Sequence, residues 1–183
     1  MNKPRSLALT MLLLSSAASG SPPKYDIGRP LSTAEETVRS ISVAPEGTGA
    51  PVGRGTAIEG RQTYMTKCAS CHGVKGEGDG ADSPPLVGGR GTLNSERPMV
   101  TIGSYWPYAT TIFDYIRRAM PYQDAGTLSD NEVYAVTAYL LFANSIIGEK
   151  DVMDRRSLAA VRMPNRDGFV ADPRPDVGSK PPR

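Results

Sequence analysis

The sequence predicts an all-α domain built around two crossed helices, and three observations lead there. Thr56 with Glu59 and Ser129 with Glu132 are capping boxes, a hydroxyl residue followed three positions later by glutamate, and each opens a helical run. Gly60 and Tyr64 fall one turn apart on one face of the first run, where a glycine lets another helix cross at close approach. The segment before Cys68 reads as helix, not as the strand of an alternating βα unit.

At the amino terminus, Met1 to Gly20 carries Lys3 and Arg5, an apolar run from Leu7 to Leu14, and then small residues. That is the three-part form of a secretory signal, too short for a membrane anchor, with cleavage expected near Ala18 or Gly20. Its removal takes away two bases and no acid, so Lys plus Arg falls from 21 to 19, equal to the 19 Asp plus Glu. A mature chain without net formal charge has no electrostatic basis for gripping nucleic acid. No other stretch approaches the roughly twenty apolar residues that a membrane span needs.

Residues 21–55, rich in Pro, Gly, Ser and Thr, read as an ordered but irregular arm or a linker, with at most a short turn across Ser32 to Glu36. Gly53-Arg54-Gly55 has neither the preceding strand nor the spacing of a phosphate-binding loop. The domain proper is expected over 56–148. It begins with a helix from Ala57 to Lys67, followed by the glycine-rich loop Gly73 to Gly80, whose sparse acids do not fit an EF-hand. A short helix from Thr110 to Ala119 carries Ile112, Ile116 and Ala119 on one face. The closing helix has Val133, Val136, Tyr139 and Leu140 on one stripe and is expected to stop at Gly148. Residues 149–183, with five prolines and scattered charge, read as an extended tail outside the core.

Chemistry concentrates at Cys68-Ala69-Ser70-Cys71-His72. Two thiols three positions apart, followed at once by an imidazole, are what covalent attachment of a c-type haem requires: each sulfur adds across one vinyl group and the next residue meets the iron. These are the only two cysteines and the only histidine in the chain. A four-ligand zinc site would need carboxylates at ligand-like spacing, and none is there. A thioredoxin-like dithiol would follow a strand. A Cys68–Cys71 disulfide is chemically open in an oxidising compartment, but its loop is too short to stabilise much. One covalent haem c and export to the periplasm agree, because in bacteria this cofactor is attached outside the cytoplasm.

With one histidine, bis-histidine ligation within the chain is excluded, so the iron has an open sixth position or takes a methionine. Of seven methionines, Met1 and Met11 leave with the signal, Met65 precedes the motif within its helix, and Met153 and Met163 lie in the tail. Met99 and Met120 remain, and position favours Met120, at a helix end before Pro121 and between the aromatic segment and the closing helix. Pro84, twelve positions after His72 in Pro84-Pro85-Leu86, is placed either to return its carbonyl to the imidazole Nδ1–H or simply to make a loop turn. Tyr105, Trp106 and Tyr108 either wall the macrocycle or belong to the core. A haem enzyme in its own right would need an open site and a nearby base, and no second histidine exists to be one.

Cys68 to His72, Pro84 to Leu86, Met120-Pro121 and Ala138-Tyr139-Leu140 together resemble a class I cytochrome c. More narrowly, Gly103 to Thr111, Asp114 to Pro121 and Val161 to Phe169 resemble the cytochrome subunits that accompany molybdenum-containing sulfite and sulfane dehydrogenases of bacterial sulfur oxidation, a resemblance running from about Tyr25 to Asp176. It implies amino- and carboxy-terminal helices packed across each other beside the haem, Met120 as distal ligand, and Leu86 in the pocket. It also implies a molybdopterin subunit as electron donor and a downstream cytochrome or oxidase as acceptor. The chain would then be an electron-transfer subunit and no enzyme alone. The sulfane dehydrogenase cytochrome commonly carries a second haem domain, whereas this chain has a single Cys-x-x-Cys-His, which favours a single-haem sulfite dehydrogenase type or a related carrier. The competing reading is a freely diffusing carrier not dedicated to sulfur oxidation.

Overall fold

The computed structural model describes residues 25, 27–80 and 83–174, so the expected signal over 1–20 lies outside it. Among the described residues six α-helices follow in order: α1 Thr33–Arg39, α2 Ala57–Lys67, α3 Ala69–His72, α4 Ala109–Ala119, α5 Asp130–Ala143 and α6 Arg155–Ala160. Two short strands, β1 Arg54–Gly55 and β2 Met153–Asp154, pair antiparallel with Gly55 opposite Met153. The predicted all-α class holds.

Both predicted capping boxes form. Thr56 Oγ1 accepts the Glu59 N–H while Glu59 Oε2 accepts the Thr56 N–H at 2.7 Å, and Ser129 and Glu132 repeat the exchange at 2.9 Å. Each box satisfies two amides that a helix start would otherwise leave unpaired. Ser32 with Glu35 does the same for α1, where only a short turn was expected.

The crossing of α2 over α5 is the centre of the packing. A Cβ built on Gly60 would stand 1.8 Å from the Ala135 carbonyl oxygen, so only glycine admits this approach. The Tyr64 and Tyr139 rings meet at 4.9 Å on one side of it, and Lys67 Nζ reaches Glu132 at 3.2 Å on the other. Behind α5, Phe113 of α4 packs on Tyr134 at 4.4 Å between centroids.

Two expectations change. The closing helix ends at Ala143, five residues before Gly148. The Ser145 N–H donates to the Phe142 carbonyl at 2.7 Å and the Ile146 N–H to the Leu141 carbonyl at 3.0 Å, a Schellman closure with Ser145 left-handed at φ 57°. The signal was missed because a serine takes the place usually given to glycine.

The tail is also not outside the core through its first part. Met153, Leu158 and Met163 are buried within the core cluster, held by the β1–β2 pairing and by the Asp154 cap on α6. Burying a side chain of this size is worth about 1.5–3 kcal/mol. The described packing runs from Val43 to Met163, beyond both expected domain ends.

Gly60→Ala is expected to destabilise the fold by about 3 kcal/mol or more, read by denaturant titration, because the new methyl meets backbone that cannot yield. A second expectation concerns acid. Hydrogen bonds from the Thr56 hydroxyl and amide hold Glu59 below the usual carboxylate range, and the Ser129 amide and hydroxyl hold Glu132 there. Lowered native values mean stability that is full above the unfolded carboxylate pKa, about 4.3, and is lost as pH falls through the native values. In a Glu59→Gln, Glu132→Gln double variant, which keeps the caps, melting temperature should fall less steeply below pH 4.3 than in the parent.

Candidate haem site

α2 delivers the motif. Its last turn ends on Cys68, whose N–H donates to the Tyr64 carbonyl, and the chain turns at once into α3, with the His72 and Gly73 amides bonded to the Cys68 and Ala69 carbonyls. Cys68 is half-buried and Cys71 exposed, and no disulfide joins them. Burial, the largest influence, pushes the Cys68 thiol up to about 11, so it stays protonated near neutrality. Among the described residues no group of three or more His, Cys, Asp or Glu side chains could hold a metal ion, as zinc would require.

The loop after the motif folds back onto it. Tyr64 Oη donates to the Gly73 carbonyl at 2.7 Å, the Gly78 N–H to the His72 carbonyl at 2.8 Å, and the Leu86 N–H to the Gly76 carbonyl at 2.8 Å. This returns Pro84, whose carbonyl oxygen stands 3.4 Å from His72 Nδ1. Of the two roles open to Pro84, the geometry is that of a carbonyl turned to the ring. With Nδ1 carrying the proton toward Pro84, Nε2 is the basic nitrogen, and it has no hydrogen-bond partner among the described residues.

Met120 caps α4 in an extended conformation, half-buried against the core, while Met99 sits in an exposed turn tied by Thr92 and Ser104. Cys68, Leu86, Trp106, Met120, Tyr139 and Ile146 are all only partly covered although they pack on the core cluster. Apolar side chains left partly covered in this way, a thiol and a thioether among them, are residue types that a flat macrocycle would cover. The residues present therefore fit a c-type haem.

The aromatic segment lies at the edge of the core, with Trp106 packed against it. Tyr105 is exposed and meets Phe169 edge-on at 5.2 Å, Trp106 meets Tyr115 at 6.0 Å, and the Arg166 guanidinium lies 4.3 Å over the Tyr108 ring. Asn165 Nδ2 donates to the Tyr105 carbonyl at 2.8 Å, so the Met163 to Phe169 stretch packs on this segment.

Sequence reasoning missed Asn144. From the end of α5 its side chain accepts the Gly88 N–H at 3.0 Å and donates to the Leu86 carbonyl at 3.1 Å and to the Leu140 carbonyl at 2.9 Å, fixing the loop that carries Leu86. No motif marks it, since Gly88 and Leu86, the two partners that matter to the loop, lie more than fifty residues away. Thr101 adds a hydroxyl on the Gly88 carbonyl, at 2.5 Å.

A helical domain that ends one helix on a thiol pair, with the imidazole that follows facing the Pro84 carbonyl through one nitrogen, defines the class: a c-type haem protein. Comparison with known proteins agrees. The cytochrome c family profile matches residues 57–143. A chain in the crystal structure of the sulfane dehydrogenase SoxCD from Paracoccus pantotrophus aligns with TM-score 0.75 and 38% identity, covering 87% of this chain and 80% of that one. Thiosulfate dehydrogenases from Stutzerimonas stutzeri (strain A1501) and Psychrobacter arcticus are 33% identical over 49% of this chain and 30% identical over 54% of it. The chain spans less than a third of these two relatives, 28% and 31% of their lengths. The chain belongs to the cytochrome c family, as a class I c-type cytochrome with covalently bound haem c and an electron-transfer function. Among the described residues no helix is long and apolar enough to cross a membrane.

Replacing Asn144 by leucine, close in volume, takes away the acceptor of the Gly88 amide and leaves the Leu86 carbonyl only the Ile102 N–H at 3.3 Å; each hydrogen bond lost is worth about 0.5–1.5 kcal/mol. The variant should melt lower and show faster amide exchange at Gly88, with α2 amides little changed under native conditions.

Proposed function

We propose that this chain is a periplasmic mono-haem cytochrome that takes single electrons from a molybdenum-containing sulfite or sulfane dehydrogenase subunit and passes them to a downstream cytochrome or oxidase. The observation that supports a dedicated dehydrogenase partner is the reach of the likeness. The sulfane dehydrogenase chain matches 87% of this chain, far more than the 57–143 needed for the haem domain, and so takes in parts of the arm and the tail.

In this reading Cys68 and Cys71 would hold the porphyrin through two thioethers, and His72 Nε2 and Met120 Sδ would supply the protein's ligands to the iron. Leu86, Trp106, Tyr105 and Tyr108 wall the pocket. The haem, when bound, supplies a one-electron site whose potential a histidine–methionine pair raises relative to bis-histidine. The chain's own work is to keep that site closed and fixed: Pro84 orients the imidazole, and the Met120 thioether would exclude an external ligand from the iron. A filled sixth position suits transfer of charge and not oxygen or peroxide chemistry.

The test is isolation of the full chain from its native periplasm, with metal analysis of whatever copurifies. Molybdenum near equimolar with iron is expected; iron without a molybdenum protein would establish the freely diffusing carrier instead. Met120→Ala should lower the midpoint potential and let imidazole bind the ferric iron readily, whereas Met99→Ala should change neither.

A further inference from the structure

The arm before the haem domain lies along α4 with a regular correspondence. Three successive alternate residues of Ile41 to Pro45 are bonded, through their backbone, to three side chains on one stripe of the helix. Arg117 Nη1 donates to the Ile41 carbonyl at 3.2 Å, the Val43 N–H donates to Asp114 Oδ1 at 2.9 Å, and Thr110 Oγ1 donates to the Pro45 carbonyl at 3.3 Å. Strand residues two apart are separated by nearly 7 Å and helix residues three to four apart by about 5–6 Å, so the two repeats run in step over this length.

Asp114 is the joint. It is buried, at 7% exposure, and its second oxygen accepts from Arg118 Nε at 3.1 Å and from Arg118 Nη2. Arg117 also donates from Nε to Asp130 Oδ1 at 3.0 Å, at the first turn of α5. Val43 is buried beside these groups, and the Ala44 N–H closes on the Thr48 carbonyl at 2.9 Å, which folds the chain back toward α2. Three residues of this brace, Asp114, Arg117 and Arg118, lie within the last two turns before Met120.

We propose that Ile41 to Pro45 is a splint that fixes the position of α4, and that Asp114 is a positioning residue for the Met120 thioether although it touches neither iron nor porphyrin. This rests on the reading of Met120 as distal ligand. α4 rests on α5 through apolar side chains such as Phe113 on Tyr134, and the splint and the Arg117–Asp130 pair add the polar ties that fix its position toward Met120. Without them the sulfur would be held less firmly and an outside ligand would displace it more easily.

The experiment titrates imidazole into the oxidised full-length holoprotein and follows ligand exchange spectroscopically, for the parent, Asp114→Asn, Asp114→Ala, Thr110→Val and Met120→Ala. Amide exchange at Val43 and over the last turn of α4 is measured alongside. Asp114→Ala should bind imidazole about tenfold more tightly than the parent, the equivalent of losing one hydrogen-bonded constraint. Asp114→Asn, which keeps an acceptor for Val43, should lie nearer the parent, and Thr110→Val should shift binding a few-fold in the same direction. Faster exchange at Val43 with imidazole affinity unchanged in both Asp114→Ala and Thr110→Val would overturn the proposal, since the arm would then be structural only. Should Asp114→Ala fail to fold, Asp114→Asn combined with Thr110→Val carries the same comparison. If Met120→Ala binds imidazole no better than the parent, the axial assignment itself is wrong, an outcome distinct from failure of the splint.

Discussion

The molecule depends on one close approach: the backbone of α2 at Gly60 against the Ala135 carbonyl of α5. Two helices that touch at backbone level leave no room between them for adjustment, so the end of α2 is placed by α5 and not by the loop that follows. Cys68 is the residue at that end. Tyr64, one turn beyond Gly60, uses its ring on Tyr139 and its hydroxyl on the Gly73 carbonyl, and so fixes the chain on both sides of the Cys-x-x-Cys-His turn.

Around this crossing the chain has little regular structure, and side chains do what ladders do elsewhere. Buried backbone groups must find partners. Here Asn144, Thr101, Ser104 and Asp114 supply them to Leu86, Gly88, Met99 and Val43. Among the described residues no buried side-chain nitrogen or oxygen is left unpaired. Loops tied down in this way can hold a flat group at a fixed distance from two helices, which long flexible loops cannot.

What the sequence revealed was local. Capping boxes at Thr56 and Ser129 depend on residues three apart, and Gly60 stood out because a helix interior rarely keeps a glycine without cause; the structure places all of them as read. The ends were less legible. Gly148 looked like a helix stop, but the stop is made at Ser145 by bonds back to Leu141 and Phe142, while Asn144 is occupied by distant Gly88. Met153, Leu158 and Met163 fall at no helical or strand period, so their burial follows from the pairing of Gly55 with Met153, a contact across about a hundred residues. Pro84 could be read two ways from spacing alone, and only the fold of the Gly73 to Gly80 loop turns its carbonyl toward His72.

The account stands or falls on one covalent attachment at Cys68 and Cys71. Intact-mass spectrometry of protein matured in a host with the haem-attachment machinery tests it directly, with Cys68→Ala, Cys71→Ala as the control. The account predicts the mass of the mature polypeptide plus one haem, red protein that keeps its colour through acid–acetone extraction, and loss of both in the double variant. A colourless chain of unmodified mass, or haem that extracts freely, would contradict it.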